Sequence, residues 1–112
     1  MNPDFFFPRR HFGGIPSPYE ELEKSRIVVL PVPYDATSDW HSGAREGPQA
    51  IINASQVLEF YDQELDIETF TVGIHTLPEL QPDMSGPEQM AQRVEEAVGG
   101  ILEQRKLPVM LG

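Results

Sequence analysis

The apolar residues of this chain fall into blocks whose periodicity changes from block to block. Ile27 to Leu30 is an unbroken run of β-branched and aliphatic residues, the pattern of a strand covered on both faces, as in a parallel sheet. Pro31 and Pro33 are expected to end its pairing. The loop from Tyr34 to Glu46 is polar. Gly47-Pro48 then sets a proline in a first helical turn, where its missing N–H costs nothing. Ala50, Ile51, Ala54, Val57 and Leu58 share one face of the helix that follows. From Ile67 to Ile74, the residues Phe70, Val72 and Ile74 alternate with Thr69, Thr71 and Gly73. That period of two predicts a strand with one face less buried, near a sheet edge. Leu77 to Pro82 is a loop punctuated by prolines. Ser85-Gly-Pro-Glu88 carries the serine and glutamate of a capping box. Met90, Val94, Ala97, Ile101 and Leu102 recur behind it at helical spacing, through Gly99-Gly100, where each glycine costs about 1 kcal/mol relative to alanine in an exposed helix. Leu107 to Leu111 predicts a third apolar strand.

The order is therefore β-α-β-α-β, which implies an α/β fold with a parallel sheet and right-handed crossovers. The ends of parallel strands share one edge, and open α/β sheets bind ligands along that edge. It carries the Tyr34 to Glu46 loop, the loop at His75 and the terminal Gly112. Ahead of the first strand, residues 1–25 read as an extended arm. Its first eighteen residues hold four prolines and four phenylalanines. The prolines prevent a regular helix, while the aromatic rings need burial, against the body of the protein or a neighbouring subunit. A partly disordered tail is the alternative. Residues 26–112 are read as one body, small for a three-layer fold.

Charge and composition narrow the partners. The formal net charge is −10. An acidic chain repels phosphate, which argues against nucleic acid and anionic membranes as partners. The same field favours a cationic substrate, although acidity also serves solubility. The chain has no cysteine, so a disulfide framework and a thiolate metal site are excluded. No apolar stretch approaches the ~20 residues of a membrane span, and no basic-then-apolar leader is present. The expected location is cytoplasmic.

The motifs exclude more than they assign. The loop after the first strand holds Pro31-Val-Pro-Tyr-Asp-Ala-Thr37, with neither a G-x-G-x-x-G nor a G-x-x-x-x-G-K phosphate cradle. Asp62-Gln-Glu-Leu-Asp-Ile-Glu68 fails as a calcium loop, because the sixth position is Ile67 and the twelfth is Gly73. The three histidines, His11, His41 and His75, form no helical pair and have no D-x-H or D-x-D beside them, so a metal site is not expected from them. His41 and His75 fall on the ligand-binding edge, where substrate contact and a plain loop hydrogen bond are both open. Asp35 and Asp39 flank Trp40-His41. Their carboxylates suit a guanidinium or an amine, and equally suit turn capping.

Gly43-Ala-Arg-Glu-Gly-Pro-Gln-Ala-Ile51, followed by Ala54-Ser55, resembles the agmatinase pattern G-x-R-x-G-P-x-x-I-R with a trailing A-S. Val32-Pro-Tyr-Asp35 matches the proline-aromatic-aspartate after the first strand of those enzymes. His11-Phe-Gly-Gly-Ile-Pro16 resembles their N-terminal arm, and Gly73-Ile-His-Thr-Leu-Pro-Glu79 the matching later loop. Together these four in order resemble the ureohydrolase family (agmatinase, arginase, formiminoglutamase), agmatinase most closely. Ile52 or Asn53 stands where that pattern has arginine.

The resemblance implies a three-layer α/β/α fold with a parallel sheet of about eight strands, of which this chain supplies three strands and two helices. It implies two manganese ions bridging a hydroxide that attacks a guanidinium carbon and releases urea. It also implies trimers or hexamers. The family's metal ligands lie in G-G-D/E-H, D-A-H-x-D and D-x-D motifs. Gly112 aligns with the first glycine of the first motif, so the chain is expected to hold no metal ligand and no catalytic residue. Asp35 and His41 are its candidate contacts for a small guanidino substrate. The expectation is the N-terminal portion of an agmatinase-like ureohydrolase, inactive alone. The rival readings are a non-catalytic acidic α/β interaction module and an amidohydrolase for another guanidino or ureido substrate.

Overall fold

The computed structural model of the chain describes residues 2, 5, 9–35 and 43–112. Among these residues five strands occur in the order β1 (Ile27–Pro31), β2 (Tyr61–Asp62), β3 (Ile67–Glu68), β4 (Ile74–Thr76) and β5 (Leu107–Leu111). Two α-helices, α1 (Gly47–Ala54) and α2 (Pro87–Glu103), lie between them. β1 is the middle of a three-stranded sheet in the order β4-β1-β5. Both pairings are parallel, with Val28 opposite His75 and Pro108, and Val29 opposite Thr76 and Val109. The unbroken apolar run is buried on both faces: Val28 is 0% exposed and Val29 and Leu30 are nearly as covered. Pro31 does not end the pairing. It is the last strand residue, opposite Leu111, and its carbonyl accepts from Leu80 N at 2.9 Å. Proline lacks only the donor, so it is tolerated at a strand end.

Alternation along β1 divides the two faces. Val28, Leu30 and Val32 pack with Met90 and Ile101 of α2, and Val94, Ala97 and Val98 flank that cluster. The opposite side of the sheet holds α1 with its buried Pro48 and Ile52, which gives the α/β/α layering. Two details of the helices differ from the sequence expectation. On α1 the inward residues are Pro48, Ile52 and, just beyond, Ser55, whereas Ala50, Ile51, Ala54 and Leu58 are exposed and Val57 is 87% exposed. Spacings of four and three put Pro48, Ile52 and Ser55 on one stripe. On α2 the capping box is not made. Gly86 is the N-cap, with no side-chain cap bond, and Ser85 N donates instead to Asp83 Oδ1 at 2.9 Å.

The expected strand Ile67–Ile74 is split. Tyr61–Asp62 and Ile67–Glu68 form a two-residue antiparallel ladder. Thr69–Val72 is a 3-10 turn, and only Ile74–Thr76 joins the main sheet. Thr71 Oγ1 donates to Glu68 O at 2.9 Å, and Gly73 N donates to Phe70 O at 2.9 Å. Those bonds close the turn that the alternating pattern concealed. Phe70 is buried, edge-on to Tyr19 at 5.2 Å and tilted on Phe60 at 4.8 Å. Gly73 has φ +84°, and a Cβ on it would stand 2.3 Å from Lys24 O. Its own carbonyl receives Arg26 N and Ile27 N at 3.1 and 3.2 Å, which sets the register of β4 on β1.

β5 is the other edge. Leu107 N donates to Arg26 O at 2.8 Å and Val32 N donates to Leu111 O at 2.8 Å. Pro108, one residue on, therefore turns its donor-free nitrogen to the open side, where a proline is tolerated. Leu107 is 59% and Met110 54% exposed along this edge. Lys106, just before it, donates from Nζ to Leu22 O and Ser25 O at 2.7 and 2.5 Å.

Two outcomes follow from this packing. Gly73→Ala is expected to destabilise the protein by at least about 2 kcal/mol, through a positive φ and a backbone clash; a denaturant midpoint equal to wild type would refute the close approach. The 112-residue chain alone, with an apolar unpaired edge, is expected to self-associate. Sedimentation showing a monodisperse monomer with a sharp cooperative melt would overturn that.

Candidate functional site

The C-terminal ends of β1 and β4 and the start of α1 meet at one edge of the sheet. Asp35 stands there, four residues past the end of β1. Its side chain is only 9% exposed, while that of Arg45 is 61% exposed, and Arg45 Nε lies 3.9 Å from Asp35 Oδ2. Among the described residues that buried oxygen has no hydrogen-bond partner. At 3.9 Å the guanidinium balances charge without making the bond. Arg45 belongs to the 3-10 turn Ala44–Glu46 that leads into α1, and Gly47-Pro48 opens the helix as the sequence predicts. A Cβ on Gly47 would lie 3.4 Å from Gly112 O, so the start of α1 abuts the end of β5. The described ends of that loop, Tyr34–Asp35 and Gly43–Glu46, thus share one edge with the first helix and Gly112.

Beside the Asp35–Arg45 pair is an open cavity of about 600 Å³. Pro33, Arg45, Glu46, Gln49, Asn53 and Glu79 line it. Gln49 Nε2 donates to Asn53 Oδ1 at 3.1 Å, and Arg10 Nη1 donates to the same oxygen at 3.2 Å. The chemistry of this wall is two carboxylates, two amides and one guanidinium group. Such a wall can hold a polar molecule carrying hydrogen-bond donors or positive charge.

Of the candidate contacts, Asp35 is at this edge, and His41 and Asp39 lie outside the described residues. His75 is in β4 rather than in a loop, and its Nδ1 is 2.8 Å from Glu20 O. His11 is half-buried in the N-terminal segment. Burial, and then the nearby Arg9, hold its pKa below the usual histidine value. The sequence reading did not pick out Arg45, Glu46 or Glu79 as site residues. Arg45 was visible as the arginine of the Gly43–Ile51 motif, but its pairing with Asp35 spans ten positions and leaves no periodic signal. Among the described residues, no three His, Asp or Glu stand together in a way that could hold a metal ion.

The comparisons with known proteins agree with this geometry. A family model described as the arginase family matches residues 25–112. The N(1)-aminopropylagmatine ureohydrolase of Thermus thermophilus is 44% identical over 89 residues, covering 78% of this chain and 29% of that protein. The agmatinase of Bacillus subtilis is 28% identical over 92 residues, covering 82% of this chain and 32% of that one. The solved agmatine ureohydrolase of Thermoplasma volcanium superposes with a TM-score of 0.75 over 96% of this chain and 35% of its own; at 24% identity this likeness shows the fold alone. The chain spans less than a third of the length of these curated relatives. With a family model over nearly all of the body, the shared parallel sheet and the Gly43–Ile51 motif opening its first helix, the chain belongs to the arginase family.

Proposed function

We propose that this chain is the N-terminal portion of a ureohydrolase whose full-length form hydrolyses agmatine, or a related guanidino compound, to an amine and urea. The observation that supports it most is the unit from Ile27 to Ala54, a buried parallel strand feeding a polar loop and a glycine-proline helix start. It lies inside the stretch that is 44% identical to an N(1)-aminopropylagmatine ureohydrolase. That relative's name brings a guanidino compound with an extra amine into the substrate class beside agmatine.

In this reading Asp35 and His41 face the substrate. Asp35 Oδ2, buried and without a hydrogen bond among the described residues, can accept a charge-assisted bond from an ammonium or guanidinium. Glu46 and Glu79 on the cavity wall add to the negative field that draws a cation in. Residues 1–25 form the arm of the enzyme, and residues 26–112 form the first part of its catalytic domain. The active form is a cytoplasmic trimer or hexamer. No helix among the described residues is long and apolar enough to cross a membrane.

Among the described residues no three His, Asp or Glu stand together in a way that could hold a metal ion. A pair of manganese ions, held by later parts of the full-length protein, would supply a water of lowered pKa. This chain's share of the chemistry is to bind and orient the cationic end of the substrate.

The full-length protein is expected to release urea from agmatine or N(1)-aminopropylagmatine, to lose that activity on chelation, and to regain it with manganese. Absence of urea release from every guanidino compound tried would overturn the reading. Asp35→Asn is expected to raise KM about tenfold with kcat little changed, the signature of lost binding that is equal in ground and transition states. The 112-residue chain alone is expected to release no urea. In calorimetry it should bind manganese no tighter than on the order of micromolar.

A further inference from the structure

The segment Arg9–Gly14 is tied across the outer edge of β4 and onto the end of α1. Arg9 Nη2 donates to Thr76 O at 3.0 Å, and Phe12 N donates to Thr76 Oγ1 at 2.8 Å. Gly13 N donates to Ser55 Oγ at 2.8 Å, and Gln56 Nε2 donates to His11 O at 2.8 Å. β4 has a neighbour on one side only, so this segment covers its free side at Thr76. In the middle of the four bonds sits His11. Its Nδ1 is buried and, among the described residues, has no hydrogen-bond partner.

The charged and titratable groups that face His11 come from three places. Arg9 is on its own segment, Glu20 is on the turns before β1, and His75 is on β4. From the turn just past α1, the neutral Ser55 and Gln56 hold the segment at Gly13 N and His11 O. A neutral imidazole tolerates this place, because an unused acceptor costs little beside an unused charged donor. Adding a proton creates a half-buried cation beside Arg9, with its new N–H enclosed and, among the described residues, without an acceptor. His75 Nδ1 donates to Glu20 O and so is not an acceptor for it. We propose that Arg9–Gly14 is a pH-gated strap, docked on Thr76, Ser55 and Gln56 while His11 is neutral and released when His11 takes up a proton.

The sign follows from the direction of the shift. Burial and Arg9 lower the His11 pKa in the docked state, and Glu20 opposes them less strongly. The released segment regains the ordinary value of 6.5. The released state therefore binds more protons below that pH. Docking is fully present above about 6.5 and weakens as pH falls, by up to about tenfold per pH unit until the docked pKa is reached. Release bares the carbonyl of Thr76 and withdraws Arg10 from Asn53, whose side chain lines the cavity beside Asp35. Protonation on one flank of the sheet would thereby alter the wall of the candidate site.

Hydrogen exchange of the Phe12, Gly13 and Gly14 amides in the full-length protein reads the strap without reference to urea release, so this proposal and the catalytic one can fail separately. After correction for intrinsic exchange, wild-type protection is expected to drop from pH 6.5 to 5.5, by at most about fivefold. His11→Phe, which keeps a ring and cannot titrate, should show no such slope; if it does not fold, His11→Gln carries the same expectation. His75→Gln should keep the slope. Thr76→Val should lower protection at every pH and also keep it. A flat wild-type profile, an equal slope in the His11 variant, or loss of the slope only in His75→Gln would overturn the strap.

Discussion

The structure depends on one strand being dry on every side. β1 has a parallel neighbour at each edge and a layer on each face, and Val28 at its centre is wholly excluded from solvent. Burying each such side chain contributes about 1.5–3 kcal/mol, and no polar substitute could be satisfied there. Everything else is placed by reference to it. α2 packs on Leu30 and Val32. Gly73 admits the backbone of Lys24 and Ser25 close enough to fix β4. Lys106 carries two carbonyls from the turns before the strand.

Much of this was legible from the sequence, and the failures have particular causes. Ile27–Leu30 declared itself because a strand covered on both faces needs no alternation. The order β-α-β-α-β followed from proline and glycine punctuation. The second strand was misjudged because Thr69–Val72 has the composition of a strand while its hydrogen bonds, through Thr71 and Gly73, close a turn. The inward face of α1 was misjudged because Ile51 and Ile52 are adjacent. Which of them turns inward is decided partly by Ser55 and Gln56 holding the N-terminal segment, a contact more than 40 positions away. At the edge of the sheet, Asp35 was visible as a polar residue after a strand. Its burial and its partner Arg45 were not, since both arise from tertiary placement and leave no periodic signal.

The two histidines in the described residues show how position alone decides their use. His75 sits within a strand and is held by a backbone carbonyl. His11 lies in a docked segment with its ring nitrogen enclosed and unpaired. Both have the same intrinsic chemistry, and among the described residues neither neighbours a metal-ligand set. The difference is the solvation each gives up, and that is set by tertiary contacts the local sequence does not record.

The strand order also carries a consequence for biosynthesis. β1 is made first, but both of its neighbours, β4 and β5, come later in the chain. At about 5–20 residues per second the ribosome needs roughly 4 to 15 seconds to travel from Pro31 to Leu107. During that interval Ile27–Leu30 is a finished aliphatic segment with one neighbour at most. Nascent-chain chaperones that bind short aliphatic stretches would find their target in this segment. Synonymous codons that slow elongation between α1 and β5 would lengthen that exposure without changing a single residue of the product.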